Sequence, residues 1–207
     1  MNELRLFPTT IWLERLNLDN NIIMDKCYGL EREQKAVRNS NIGGFQSKSI
    51  YHFADPEFDN APFNDTEFSK AVLGNAPARK DKTPPPLYLE SWVNINRTGN
   101  SNKKHTHFNN NIYLSGVYYV QVPDKSGNIL FHDDRNPLHP YAVDNSYFDD
   151  GFEHKYLTPK AGIVLYFPCW VPHSVEVNES PDDRISIGFN IRINEQTVET
   201  ESKSREM

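Results

Sequence analysis

The strand-like segments that follow one another from Leu87 onward are the feature that most limits how this chain folds. Aromatic and β-branched residues are frequent in LYLESWVNI, IYLSGVYYVQV, GIVLYFP and RISIGFNIRI, and turn sequences such as PDKSGN separate these segments. No helical periodicity intervenes. Strands at this spacing predict an antiparallel sandwich, jelly roll or barrel. The polar segments Arg97–Lys104 and Asn136–Asp150 are predicted loops.

The N-terminal part of the chain has a different pattern. Leu6–Leu16 alternates apolar and polar residues around a proline and predicts an edge strand. Asn20–Arg38 and Asp65–Leu73 place apolar residues near a 3.6-residue period, so both predict helices, the first capped by Asp19 or Asn20. The proline-rich stretch Lys80–Pro86 predicts an extended connector to the strand-rich part.

Length and composition narrow the class of protein. A chain of 207 residues is long enough for one domain with a substantial core, which we expect over residues 1–194, followed by a polar tail at 195–207. A formal net charge of −6 argues against nucleic-acid binding, which requires a basic surface. Cys27 and Cys169 predict buried thiols rather than a disulfide framework. The sequence has no signal-peptide pattern and no bilayer-length apolar run, so we expect a cytoplasmic protein with no membrane partner.

Three histidines are candidates for a metal site. His105 and His107 are two residues apart, so on a strand their side chains share one face. Such a pair also occurs for structural reasons, and alone it is weak evidence. His173 follows the apolar run GIVLYFP, and Pro172 beside it stiffens the chain. Imidazole ligands suit zinc, copper, nickel and iron.

Arg184 opens the last strand-like segment and needs an anionic partner, because an unpaired buried guanidinium is costly. Ser186 lies two residues on, on the same face, and adds a hydroxyl donor. Two interpretations are open at this point. The partner is the carboxylate of a ligand, which suits the planar guanidinium, or it is a structural salt bridge to Glu90, Asp133 or Asp134.

Tyr118 and Tyr119 are neighbours on a predicted strand, so their side chains point to opposite faces and one is directed inward. An inward hydroxyl needs a partner, and a ligand carboxylate beside Arg184 would provide one. Plain core packing is the alternative, and it is the favoured one for Tyr118.

Taken together, these motifs resemble a known family. The order F-P-T-x-I-W, S-N-x-G-G-F-Q-S, W-x-N, N-x-x-H-x-H, S-G-V-Y-Y-V, F-P, H-x-V and R-I-S-I-x-F-N is similar to that of phage and marine bacterial 2-oxoglutarate/Fe(II)-dependent dioxygenases. The similarity extends from Leu6 to Arg192. It implies a mainly β protein with a double-stranded β-helix (jelly-roll) core and N-terminal helices packed outside. It also implies Fe(II) at His105, His107 and His173, and 2-oxoglutarate anchored by Arg184, Ser186 and Tyr119.

One position departs from the wider superfamily, whose metal site is His-x-Asp/Glu followed by a distant His. The carboxylate place is occupied here by His107. Three interpretations are open: a three-histidine site, a two-ligand site completed by water, or a carboxylate supplied by Asp133 or Asp134. The i, i+2 spacing favours three histidines. A neutral imidazole in place of a carboxylate raises the net charge of the site by one.

The resemblance implies an enzyme, a dioxygenase that couples C–H hydroxylation to decarboxylation of 2-oxoglutarate. Two other interpretations stay open: a cupin-like metal protein without 2-oxoglutarate (a three-histidine dioxygenase or an isomerase), and an inactive jelly-roll binding module. The expected partner is a small molecule or a peptide, and we expect a homodimer. Substrate choice is assigned to the polar segments Gly43–Lys48, Arg97–Lys104, Asn109–Asn111 and Asn136–Asp150.

Overall fold

A computed structural model describes residues 8–52, 66–77, 87–109, 111–134 and 154–193. Its elements, in chain order, are β1 (Trp12–Arg15), α1 (Asn20–Glu33), β2 (Asn41–Ile42), β3 (Phe45–Gln46), β4 (Ile50–His52), α2 (Thr66–Gly74), β5 (Leu87–Asn96), β6 (Ser101–His105), β7 (Ile112–Gln121), β8 (Ile129–His132), β9 (His154–Leu157), β10 (Ile163–Phe167), β11 (His173–Val175) and β12 (Arg184–Ile193). The predicted connector Lys80–Pro86, the loop Asn136–Asp150 and the tail 195–207 lie outside the described residues.

The strands form two antiparallel sheets with jelly-roll topology. The larger sheet has the order β1-β10-β7-β12-β5-β3, with β4 also paired to β5, and the smaller has the order β2-β6-β11-β8-β9. From β7 onward the chain passes repeatedly between the two sheets, with β7, β10 and β12 in the larger sheet and β8, β9 and β11 in the smaller. The expected fold class, a mainly β jelly roll with helices outside, is confirmed.

The outer face of the larger sheet carries the main hydrophobic core. On β12 the side chains of Ile185, Ile187, Phe189 and Ile191 point to this side, as the two-residue period of a strand requires. They pack with the buried face of α1, formed by Ile23, Cys27 and Leu30, and with Phe68 and Val72 of α2. The helices therefore cover one face of the sheet and leave the other free to form a site.

The space between the two sheets is only partly apolar. A smaller cluster there contains Tyr119, Ile129, Leu165, Phe167 and Val171. The remaining inward positions of β5 and β12 are mostly polar, and they line two cavities described below.

Several local predictions are confirmed. β1 lies at the edge of the larger sheet, and Asp19 caps α1 by accepting hydrogen bonds from the backbone amides of Asn21 and Ile22. Cys27 and Cys169 are buried free thiols. No helix in the described ranges is both long and apolar enough to cross a membrane.

Two predictions of secondary structure were wrong. α1 ends at Glu33 rather than near Arg38, because the backbone becomes extended at Gln34. The predicted loop Arg97–Lys104 instead contains most of β6. Its polar residues are tolerated in a strand because the buried Asn102 amide bonds to Asn96 and Ser40.

Candidate metal centre

Strand pairing brings the three predicted histidines together. His105, the last residue of β6, is the direct cross-strand partner of His173, the first residue of β11. His107 lies two residues beyond His105, where its amide donates a hydrogen bond to the carbonyl of Cys169 and holds the chain close to the β10–β11 connection. One nitrogen from each ring lies within 4.8 Å of those from the other two. The cluster is therefore compact enough to hold one metal ion.

The hydrogen bonds of the three rings leave the same nitrogen available on each. Nδ1 of His105 lies 2.8 Å from the carbonyl oxygen of Lys103, and Nδ1 of His173 lies 3.0 Å from that of Val171. Nδ1 of His107 lies 2.9 Å from Oδ1 of Asn190. The backbone carbonyls can only accept, so Nδ1 carries the proton in His105 and His173 and Nε2 presents a lone pair; the Asn190 oxygen favours the same tautomer in His107. This is the arrangement that metal-binding histidines commonly adopt.

All three imidazoles are held in the neutral form that binds metals. Burial, with a smaller contribution from the charge of His105, lowers the pKa of His107 to about 4. Burial also lowers the pKa of His105 and lowers that of His173 well below its ordinary value. The donor set thus fits a divalent metal, iron included, although imidazoles alone do not select iron.

The structure bears on whether a carboxylate completes this site. Among the described residues, the group close enough to share a metal consists of the three histidines and no carboxylate. Asp133 and Asp134 follow β8 on the exposed surface, and Asp134 pairs with Lys104. This arrangement favours the three-histidine interpretation over the alternative with Asp133 or Asp134.

A narrow cavity of about 50 Å³ extends from the histidines between the sheets, and we call it the inner cavity. Arg184, Ser186 and Tyr119 lie in its wall together with all three histidines. Ser186 is the cross-strand neighbour of Tyr119, and the guanidinium carbon of Arg184 lies 5.2 Å from the centre of the Tyr119 ring. Cβ atoms are absent at Gly116 and Gly188, which also line this cavity. A Cβ at Gly188 would lie 2.7 Å from the indole of Trp92.

Two polar atoms in the wall of the inner cavity have no hydrogen-bond partner among the described residues. They are Nε of Arg184, which is only 2% exposed, and the hydroxyl of Tyr119, which is fully buried. Burial raises the pKa of Tyr119 to about 12 although the Arg184 charge opposes this, so the hydroxyl keeps its proton and can donate. A buried cation beside an unpaired donor fits an anionic ligand such as a carboxylate.

The salt-bridge alternative for Arg184 is wrong for the residues that the structure describes. Glu90 pairs instead with Arg192, at 2.7 Å between its Oε2 and Nη2. Asp134 pairs with Lys104, as noted above. Tyr118, by contrast, packs in the main core as the alternative reading predicted, and its hydroxyl donates a hydrogen bond to Asn20.

A second, wider cavity of about 560 Å³ opens from the histidines to the surface, and we call it the outer cavity. Ser40, Trp92, His105 and His107 belong to the walls of both cavities. The outer cavity is further lined by Gln46, Lys48, Lys103, Phe108, Asn109, Glu90, Asn190 and Arg192. Parts of three of the predicted substrate segments, Gly43–Lys48, Arg97–Lys104 and Asn109–Asn111, thus lie in its wall.

One polar residue of the site, Asn190, was missed by the sequence prediction. The signal for Asn190 was present, because the face of β12 that carries Arg184 and Ser186 continues through Gly188, Asn190 and Arg192 at a two-residue period. Gln46 lies within the predicted substrate segment Gly43–Lys48, but no pattern singled it out there. It lies on a strand of two residues whose position depends on its pairing with β5.

Comparison with known proteins agrees with this geometry. Residues 90–190 match the family model described as "Putative 2OG-Fe(II) oxygenase". No curated protein matches the chain closely enough in sequence to count as a relative.

Solved structures share the fold at low sequence identity. A prolyl-4-hydroxylase from Pseudomonas putida is 15% identical with a TM-score of 0.55, covering 90% of this chain and 94% of that one. The α-ketoglutarate-dependent carbocyclase SnoK of nogalamycin biosynthesis is 13% identical with a TM-score of 0.58, covering 89% and 80%. HygX from Streptomyces hygroscopicus, with nickel and 2-oxoglutarate bound, is 14% identical with a TM-score of 0.57, covering 90% and 84%. At such identities the likeness establishes the fold alone.

Proposed function

Because residues 90–190 of this chain match the 2OG-Fe(II) oxygenase family model, we propose that the protein is an Fe(II)- and 2-oxoglutarate-dependent dioxygenase that hydroxylates its substrate. One observation carries the proposal. Three neutral imidazoles line the inner cavity together with a buried arginine, Arg184, that has no carboxylate partner among the described residues. A cupin-like metal site without 2-oxoglutarate accounts for the histidines but gives Arg184 no role.

Different residues of the site would perform different parts of such a reaction. Nε2 of His105, His107 and His173 would hold the iron. Arg184, with Tyr119 and Ser186, would bind the distal carboxylate of 2-oxoglutarate and so orient it. Phe167, whose ring centre lies 4.8 Å from that of His173, would help to exclude water from this wall. The bound iron and 2-oxoglutarate supply the oxidising chemistry, in which one atom of O₂ enters a substrate C–H bond, the other enters succinate, and CO₂ leaves.

The residues that line the outer cavity favour an anionic substrate, either a small molecule or a peptide. Lys48 and Lys103 line it, and neither has an ion-pair partner within the part of the chain that the structure describes. The charge of Arg192 is neutralised by Glu90. No carboxylate joins the three histidines among the residues that the structure describes, which would leave a bound metal more positive by one charge. Together these features favour binding of a negatively charged group in the outer cavity, although the chain as a whole is acidic.

A hydrogen-bond donor on the substrate is also expected. Gln46 lines the outer cavity and is only 5% exposed, and its Oε1 has no hydrogen-bond partner in the described ranges. A buried acceptor without a donor is costly, so a substrate N–H or O–H would satisfy it. Trp92 and the 75% exposed Phe108 provide apolar surface for the carbon skeleton.

Anaerobic titration of the metal-free protein with Fe(II), followed by 2-oxoglutarate, tests the proposal. We expect the weak visible absorption band of an iron-chelated keto acid, and we expect Arg184→Ala to abolish it while the exposed Arg97→Ala does not. Iron binding without the band would favour the cupin-like alternative. Absence of iron binding would favour a binding module.

The substrate class is tested by 2-oxoglutarate turnover with a panel of amino acids and dipeptides, each offered with a free and with an amidated carboxyl group. We expect stimulation by free acids and none by the matched amides. Equal stimulation by both forms, or stimulation by amides alone, would contradict an anionic substrate.

A further inference from the structure

The three histidines are held by two different kinds of acceptor. His105 and His173 each donate from Nδ1 to a backbone carbonyl two residues earlier in the chain. A carbonyl can only accept, so it dictates which ring nitrogen carries the proton. His107 instead faces the side-chain amide of Asn190. A side-chain amide can present either its oxygen or its NH₂ group, so the tautomer of His107 depends on whatever orients Asn190.

Glu90 orients Asn190. The two residues are direct cross-strand partners between β12 and β5, and Ser115 on β7 is the partner of Asn190 on the other side. Nδ2 of Asn190 lies 3.1 Å from Oε2 of Glu90, and its Oδ1 lies 2.8 Å from the hydroxyl of Ser115. An ionised carboxylate only accepts hydrogen bonds. The NH₂ group must therefore face Glu90, which turns Oδ1 toward His107.

Glu90 is held in the ionised form. Nε and Nη2 of Arg192 each lie 2.7 Å from Oε2, and the Ser49 hydroxyl lies 3.0 Å from Oε1. Burial raises the pKa of the Glu90 carboxyl, but the hydrogen bonds from Asn190, Arg192 and Ser49 and the charge of Arg192 outweigh it, leaving the pKa below its ordinary value. Arg192 and Asn190 therefore both donate hydrogen bonds to Glu90, and Asn190 presents its oxygen to His107.

We propose that Glu90 and Asn190 are positioning residues that fix His107 in the tautomer with its proton on Nδ1, so that its Nε2 lone pair faces the metal site. The ligand position occupied by a carboxylate elsewhere in the superfamily then keeps an acidic partner, two hydrogen bonds behind the ring. Such outer partners raise ligand basicity and typically change metal affinity 10- to 100-fold.

The inference rests on the histidine cluster being a metal site, but its first test needs no metal. ¹⁵N NMR of metal-free protein labelled at histidine reports which ring nitrogen is protonated. We expect Nδ1–H for His107, and a shift toward Nε2–H in Glu90→Gln and Asn190→Leu. The signals of His105 and His173, whose Nδ1 atoms face backbone carbonyls, should not change in either variant.

A second measurement follows metal affinity by titration with Co(II). Glu90→Gln should weaken binding about 10-fold. Glu31→Gln is the charge-matched control, because Glu31 pairs with Arg97 and lies in the wall of neither cavity, so binding should stay unchanged. Circular dichroism checks that each variant is folded.

The positioning role is overturned if wild-type His107 carries its proton on Nε2, or if Glu90→Gln and Asn190→Leu leave both tautomer and Co(II) affinity unchanged. The expected tautomers in a protein that forms no 2-oxoglutarate complex would uphold the positioning role and reject the oxygenase proposal. The two ideas can therefore fail separately.

Discussion

The inner and outer cavities meet at the same histidines but differ in almost every other property. The inner cavity is small, about 50 Å³, and its cation, Arg184, is fully buried beside Tyr119. The outer cavity is larger, about 560 Å³, and its lysines are exposed. A small cavity whose cation has no carboxylate partner among the described residues suits one small anion of fixed shape. A wide polar cavity lined by loops and short strands suits a substrate that differs between related proteins.

A single strand connects the two regions. The inward face of β12 begins with Arg184 and Ser186 in the inner cavity and ends with Asn190 and Arg192 in the outer one. Its two arginines illustrate the contrast. Arg192 has a carboxylate partner in Glu90, whereas Arg184 has none among the described residues. Burial alone therefore does not identify a ligand-binding arginine; the missing partner does.

The largest expected effect concerns the histidines shared by the two cavities. The pKa of His107 falls from about 6.5 in the unfolded chain to about 4 in the folded protein. Below pH 6.5 the unfolded state therefore takes up a proton that the folded state refuses. His107 alone should therefore decrease the free energy of unfolding of metal-free protein by about 3 kcal/mol as the pH falls from 6.5 to 4. Urea denaturation across this range measures it, and in His107→Asn the decrease should be smaller by that amount.

Arg184→Lys tests whether the inner cavity needs the forked guanidinium or only a positive charge. A lysine keeps the charge but cannot bind a carboxylate through two parallel hydrogen bonds. We expect the Kd for 2-oxoglutarate to rise about 30-fold, or about 2 kcal/mol, by calorimetric titration with Fe(II) present and oxygen absent. Unchanged affinity would remove Arg184 from the co-substrate site.

Charge reversal in the outer cavity should separate the two functions. In Lys48→Glu combined with Lys103→Glu, the apparent affinity for an acidic compound that stimulates turnover should fall about 10-fold. The KM for 2-oxoglutarate should not change, because neither lysine lines the inner cavity. Lys26→Glu combined with Lys35→Glu, outside both cavity walls, is the charge-matched control. Equal loss in both double variants would indicate general electrostatics rather than a local site.

The smallest expected effect comes from Tyr119→Phe, which removes a hydroxyl without a hydrogen-bond partner in the described part of the chain. If a co-substrate carboxylate is its partner, the Kd for 2-oxoglutarate should rise about 5-fold, or about 1 kcal/mol. Thermal stability without ligand should stay the same or increase, because an unsatisfied buried polar group is lost. A hydroxyl with only a structural role would give the opposite pattern, with lower stability and unchanged affinity.

Much of the fold could be predicted because it depends on local alternation. The pattern RISIGFNIRI separates Ile185, Ile187, Phe189 and Ile191, which pack in the core, from the residues that face the cavities. The apolar period of α1 likewise identified its buried face. The end of that helix could not be predicted locally, because no capping signal marks it. The chain that follows is instead held by another segment, where the Val37 amide donates a hydrogen bond to the carbonyl of Gln46. The strand β6 was missed since its polar residues depend on partners in other segments.

By itself, the sequence determined which residues share a face: His105 with His107, and Arg184 with Ser186, through the two-residue period of a strand. The tertiary structure decided which faces meet. The pairing of β11 with β6 sets His173 opposite His105, and the register of β12 with β5 gives Glu90 to Asn190 and Arg192 rather than to Arg184. Periodicity is a property of neighbouring residues, whereas register depends on contacts between distant segments that form only when the two sheets pack.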